Sequence, residues 1–245
     1  LYVLYPALGG GTYYDLHENK FLAPLLLWLL YAIQKENTML SILAALLVCL
    51  VKEDAPVYVM FLALYLLLSA KGTKDPKKTS RNALLLFTLS SIYFASAIAL
   101  LRQFGQGVMS WRYSNFMGPE DSTLTSVLIN LLKNPAYVIY EIFAVHTQNP
   151  DTSKLVFLLQ MLIPLGFLPV LLKKYDRILL LLPFILVNLM PDYVYQHSIF
   201  FQYTYGSFPL LLYAAILNYQ DMTDSIKRVL RLFALCASIL LCIQT

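Results

Sequence analysis

Charge is scarce in this chain. Asp, Glu, Lys and Arg fill 13% of 245 positions, against 59% for hydrophobic residues. A soluble domain carries about 25% charged residues, so the composition excludes that class and indicates an integral membrane protein. Cysteine is nearly missing as well. Cys49, Cys236 and Cys242 all fall within apolar runs, which excludes a disulfide framework or a zinc spacing and leaves three small hydrophobes. No internal repeat favours a transporter built from halves. The chain opens at Leu1 with no charged leader and no small-residue cleavage site, so no signal peptide is expected. Residues 1–8 read as the tail of an earlier apolar helix, and the expectation is one transmembrane domain over 1–245, a fragment lacking its N-terminal spans.

What the chain has is long apolar runs, at 21–33, 38–51, 55–70, 83–101, 155–172, 178–190, 208–217 and 229–243. These predict an all-α, multi-spanning helical bundle, with the shorter runs borrowing flanking residues or tilting. Lys52, Glu53 and Asp54 interrupt the apolar stretch 38–70. A single helix over that stretch would be about 50 Å long, beyond a roughly 30 Å hydrocarbon core. Pro56 follows the charges, and the spacing predicts two helices with a break at the triplet.

Basic residues set the expected orientation. If 71–82 is cytoplasmic, strict alternation places 34–37, 173–177 and 218–231 on the same side, giving twelve basic residues there against six on the other. The pI of about 8.8 then reflects loops facing anionic lipid, with no nucleic acid implied. The polar motifs all fall on the extracytoplasmic face of a multi-pass cell-membrane protein. Within the external loop 102–154, Ser122 is expected to cap a helix over 123–133, and Asn134-Pro135 to open a second over 135–146. Both are too short or too polar to span, and read as helices lying in the interface or as plain connectors resting on it.

Three constellations are candidates for chemistry. The segment GGGTYYDLHE at 9–18 offers Asp15, His17 and Glu18 as ligands for a divalent cation, or as a helix start with Asp15 and Glu18 as a capping box. The Lys52-Glu53-Asp54 triplet supplies a carboxylate base and an ammonium for phosphate, or a solvated hairpin tip. The stretch from Asp192 to Gly206 contains His197, Gln202 and Tyr203 among several tyrosines, which suits a glycan pocket or an aromatic belt. Trp111, Arg112 and Tyr113 allow the same two readings, with Arg112 a candidate for a lipid phosphate. Prolines 24, 56, 164, 169, 183 and 209 lie in or beside apolar runs, as in bundles with an internal cavity.

In order, Asp15-Leu16-His17-Glu18, then Leu50-Val51-Lys52-Glu53-Asp54, then Leu165-Gly166-Phe167-Leu168-Pro169, then Phe201-Gln202-Tyr203 before Pro209, resemble the bacterial membrane-protein family termed domain of unknown function 2079. The resemblance covers nearly the whole chain and corresponds to the family's C-terminal part. Leu16 stands where that family usually has an aromatic residue. The family is grouped with GT-C glycosyltransferases, which implies transfer of a sugar from a polyprenyl-phosphate donor to an acceptor at the outer face. It implies catalytic roles for Asp15, Glu18, Glu53 and Asp54, and binding of substrate by His17, Lys52, Arg112, His197, Gln202 and Tyr203. The first external loop, where GT-C enzymes keep a catalytic acid, would lie upstream of Leu1. A transporter or flippase, or a non-catalytic membrane protein, are the rival readings.

Overall fold

The computed structural model describes residues 3–12, 16–104, 109–117, 123–146 and 153–244. Among them there are helices and turns and no strand. A short α1 (Pro6–Gly10) is followed by α2 (Leu22–Gln34), α3 (Thr38–Val51) and α4 (Pro56–Ser69). The boundaries come from local chemistry. Asn37 caps α3, its Oδ1 accepting the Leu40 N–H at 3.0 Å, and Pro56 opens α4 at a position whose N–H needs no partner. The expected break at the triplet is therefore present.

The basic stretch 71–82 differs from its expected form as a loop. Asp75 Oδ1 accepts the Lys78 N–H at 3.0 Å ahead of Pro76, and this cap starts α5 (Pro76–Phe104), a helix of 29 residues. At 1.5 Å per residue it is about 43 Å long. Among the described residues it is the one helix long and apolar enough to cross a membrane. The other expected spans form shorter helices, broken turns or, at 229–243, part of a 21-residue helix, so the eight-run pattern resolves into one helix of spanning length and apolarity among elements that lack one or the other.

After α6 (Leu124–Lys133), α7 (Pro135–Phe143) and α8 (Lys154–Leu162) the chain stops being regular. Thr123 caps α6 through Ser126 N–H; Ser122, the expected cap, lies outside the described residues. Pro135 opens α7 as expected, and α7 ends at Phe143 rather than at 146. The apolar run 155–172 is not one helix. Pro164 and Pro169 remove helical donors, and Gly166 and Phe167 take left-handed backbone at φ 62° and 56°, so the run breaks into 3-10 turns. The run 178–190 breaks likewise, into a 3-10 turn, the short α9 (Leu182–Phe184) and a π turn, Ile185–Leu189. Regular helix resumes at α10 (Ser207–Gln220) and α11 (Asp224–Gln244).

The core lies among α2, α3, α4 and α10, where Leu26, Leu29, Val48, Leu62, Phe208 and Leu211 are fully buried. Ala44, Ala45 and Ala63, also fully buried, let the helices approach closely. Tyr5 stacks on Phe208 at 4.0 Å between ring centres and donates its hydroxyl to the Met161 carbonyl at 2.7 Å. By contrast α5 and α11 leave Leu84, Ile92, Leu100, Leu232 and Leu240 exposed, the pattern of surfaces that face lipid. At one end of the bundle Glu36 pairs with Lys78 at 3.6 Å and Arg177 with Asp221 at 2.6 Å. The α3–α4 turn is at the other.

Candidate functional site

At that other end three segments distant in sequence meet. The α3–α4 turn closes through the Ala55 N–H to the Lys52 carbonyl at 3.1 Å and the Val57 N–H to the Asp54 carbonyl at 3.1 Å. The turn leaves Lys52, Glu53 and Asp54 half-buried. Segment 109–117 reaches it from the stretch that follows α5, and segment 190–205 from the irregular part of the chain. The last two are joined by the Asp192 N–H donating to the Arg112 carbonyl at 2.8 Å.

Arg112 is the centre of this meeting. It is 6% exposed, and its guanidinium carbon lies 4.9 Å from the Tyr193 ring centre, 5.2 Å from Tyr203 and 5.6 Å from Trp111. Lys52 Nζ sits 5.3 Å from the centre of the same Tyr203 ring, which the two cations share. No carboxylate of a described residue stands within 4.0 Å of either cation, and the buried Arg112 Nε has no hydrogen-bond partner. Each ring offers a cation about 0.5–2 kcal/mol, whereas burying a charge costs several kcal/mol. Asp54 is a balancing charge that interacts with both cations. Burial of Asp54 pushes its carboxyl up from the usual range, Lys52 pulls it down, Glu53 pushes it up and Arg112 pulls it down, with a net rise. Burial also pushes the Tyr203 hydroxyl up to about 12, so it stays protonated at neutral pH.

Polar contacts beneath the site hold it in place. Tyr58, on the first turns of α4, hydrogen-bonds Ser207, and Ser207 Oγ donates to Asn188 Oδ1. The Asn188 amide donates to the carbonyls of Gln196 at 2.8 Å and Tyr203 at 3.2 Å. One buried asparagine thus fixes both arms of the tyrosine-rich segment. Gly206 has to be glycine, because a Cβ there would lie 2.3 Å from the Tyr58 ring.

Of the expected site residues, the structure brings together Lys52, Glu53, Asp54, Arg112 and Tyr203. His197 and Gln202 are buried in the same 190–205 segment, and Gln202 Oε1 has no hydrogen-bond partner. Asp15 lies outside the described residues. His17 and Glu18 are used locally: His17 Nδ1 accepts the Asn19 N–H at 3.3 Å and lies 3.2 Å from Glu18 Oε2, opening a 3-10 turn that packs near α3 and the 202–204 turn. Among the described residues no three His, Cys, Asp or Glu side chains group as metal ligands.

Sequence reading missed a second polar cluster, formed by Glu141, His146, Asn115 and Lys154. Glu141 is a lone carboxylate in an apolar helix, PAYVIYEIF, which was the available signal, but an interfacial helix accounts for one charge without it. Its partners come from positions 5 to 26 residues away. No curated protein and no solved structure matches the chain. The family model described as "Predicted membrane protein (DUF2079)" matches residues 1–245, and the chain belongs to that family.

Proposed function

We propose that this chain is part of a multi-pass, GT-C-like glycosyltransferase that moves a sugar from a polyprenyl-phosphate donor to an acceptor at the outer face of the membrane. The observation that carries the reading is Arg112, a buried guanidinium with no carboxylate partner among the described residues, ringed by Trp111, Tyr193 and Tyr203, the last of which it shares with Lys52. Phosphate oxygens match a guanidinium fork, and aromatic faces suit a sugar ring. When the bond between the anomeric carbon and the phosphate breaks, the leaving oxygen gains charge. Two cations held in a poorly solvated site stabilise that charge more than water would. Asp54 balances them in the resting site, where burial holds its carboxyl above the usual range.

The remaining assignments follow the family resemblance. His197, Gln202 and Tyr203 hold sugar or acceptor hydroxyls, and Glu53 adds a carboxylate at the mouth. Asp15, His17 and Glu18 shape the cavity or hold a divalent cation. The basic end with Arg177 and Lys78 faces the cytoplasm, so the site lies outside. Leu128, Leu132, Ile139 and Phe143, exposed on α6 and α7, rest in the lipid interface.

The test is turnover by the full-length protein in detergent or vesicles, with undecaprenyl-phosphate-linked hexoses as donors and release of lipid phosphate as readout. Release that falls at least tenfold in Arg112→Ala supports the proposal. Sugar-lipid that crosses vesicles without release supports the flippase reading instead. Release unaffected by chelation removes the cation from Asp15, His17 and Glu18.

A further inference from the structure

Glu141, on α7, has a fully buried side chain. His146 Nε2 lies 2.9 Å from each of its carboxylate oxygens. Asn115 donates its amide to Oε2, and the Tyr137 hydroxyl donates to the Asn115 carbonyl at 2.9 Å beside it. Lys154, fully buried at the start of α8, donates to the Glu141 carbonyl at 2.9 Å. Asn115, Tyr137 and Lys154 already fasten this corner of the fold. The imidazole adds something they do not: its side chain is 38% exposed, and its Nδ1 bonds no described residue. A neutral imidazole bonded to a carboxylate at Nε2 carries its hydrogen there, which leaves the Nδ1 lone pair to accept a proton.

The cluster is tied to the Arg112 site by the backbone. Asn115 belongs to the same segment as Arg112 and also donates to the Met190 carbonyl at 3.1 Å, two residues before the Asp192 N–H that bonds Arg112. Asp54 shares the charges of Arg112 and Lys52, the two cations assigned to the phosphate, so it belongs to the leaving-group side. Direct displacement needs its base on the opposite side of the sugar.

Resting on the transferase reading above, we propose that His146 is the base that takes the acceptor's proton, with Glu141 as its positioning residue. The acceptor oxygen forms a bond to the anomeric carbon, and the bond from that carbon to the phosphate oxygen breaks with its electron pair going to the lipid phosphate. The hydroxyl proton passes to His146 Nδ1 and then to solvent. The resulting imidazolium is held by the Glu141 carboxylate, as in other carboxylate-imidazole pairs. Burial raises the Glu141 carboxyl, but its hydrogen bonds, first those from His146 and Asn115, outweigh it and hold it below the usual range. Lys154 and Asp192 are the other charged groups facing this network, with Tyr137 and Tyr140.

The experiment is steady-state turnover by the full-length protein across pH, with undecaprenyl-phosphate-linked hexoses. His146→Gln should lower kcat at least a hundredfold with donor KM within threefold of wild type. Glu141→Gln should lower kcat and move the acid limb of the profile to lower pH, because the imidazole loses the charge that favours its protonated form. Because Glu141 is buried, an NMR titration of His146 in the two proteins gives the same shift independently of turnover. Full kcat and an unchanged profile in His146→Gln, with Arg112→Ala still inactive, would overturn the base assignment alone. No release by wild type from any donor would overturn the transferase reading and this inference with it.

Discussion

Two arginines are buried at opposite ends of this molecule, and their surroundings differ in kind. Arg177, 4% exposed, donates from Nη1 to Asn218 Oδ1 at 2.7 Å and pairs through Nη2 with Asp221 at 2.6 Å. Asn218 in turn donates to the Leu168 carbonyl at 2.8 Å, so the pair fastens the broken segment 163–180 to α10. Arg112 is buried to a similar degree, yet its guanidinium bonds no described residue and meets three rings instead. Both leave Nε without a partner; the contrast is at the Nη groups. Arg177 has its anion within the chain and serves the fold. Arg112 has no such anion among the described residues, which is what the proposed phosphate site requires.

Substitution at both arginines breaks the comparison most directly. Arg177→Met should lower the stability of the detergent-solubilised protein by about 3 kcal/mol, since removing one partner of a buried pair strands the other. Asp221, 31% exposed, keeps the loss toward the low end. Arg112→Met should change the melting midpoint little, because a buried charge with no ion pair among the described residues is replaced by an apolar chain of similar length. Gly206→Ala should cost about 1–3 kcal/mol by forcing Tyr58 from its place, and should disturb the Tyr203 side of the Arg112 site. It would leave Arg177 untouched, as thermal melts of the double variant with Arg177→Met would show by additivity.

The smallest effect concerns Asp54. A carboxyl raised in the folded state binds more protons folded than unfolded, so stability is fully present below its ordinary range and declines as pH rises through the shifted value. Melting midpoints of wild type should fall over that window relative to Asp54→Asn, whose profile should be flatter there. A wild-type midpoint that instead rises relative to the variant would show Asp54 to be a stabilising ion-pair partner.

The two ends were unequally legible in the sequence. Around Arg112 the cues were local: a charged triplet before Pro56, an arginine among aromatics, and a tyrosine-rich segment, with topology alone sufficient to bring them to one end. The helix boundaries at Asn37, Pro56 and Pro135 were readable for the same reason, as caps and prolines act within a turn. Arg177 looked like one more basic loop residue, because its partners at 218 and 221 are about forty residues away and nothing local announces them. The breaks in 155–172 and 178–190 were obscured by uniform hydrophobicity, which prolines and a left-handed Gly166–Phe167 pair override. Glu141 was hidden similarly, because Asn115 and Lys154 join it and the nearby His146 from other parts of the chain.

The most direct test of the central claim is binding of farnesyl phosphate and of farnesol to the full-length protein, in wild type and in Arg112→Met. The account predicts that wild type prefers the phosphate at least tenfold and that Arg112→Met loses the preference while melting at nearly the same temperature. Equal affinity for the two ligands in wild type, or a phosphate preference retained without Arg112, would contradict it.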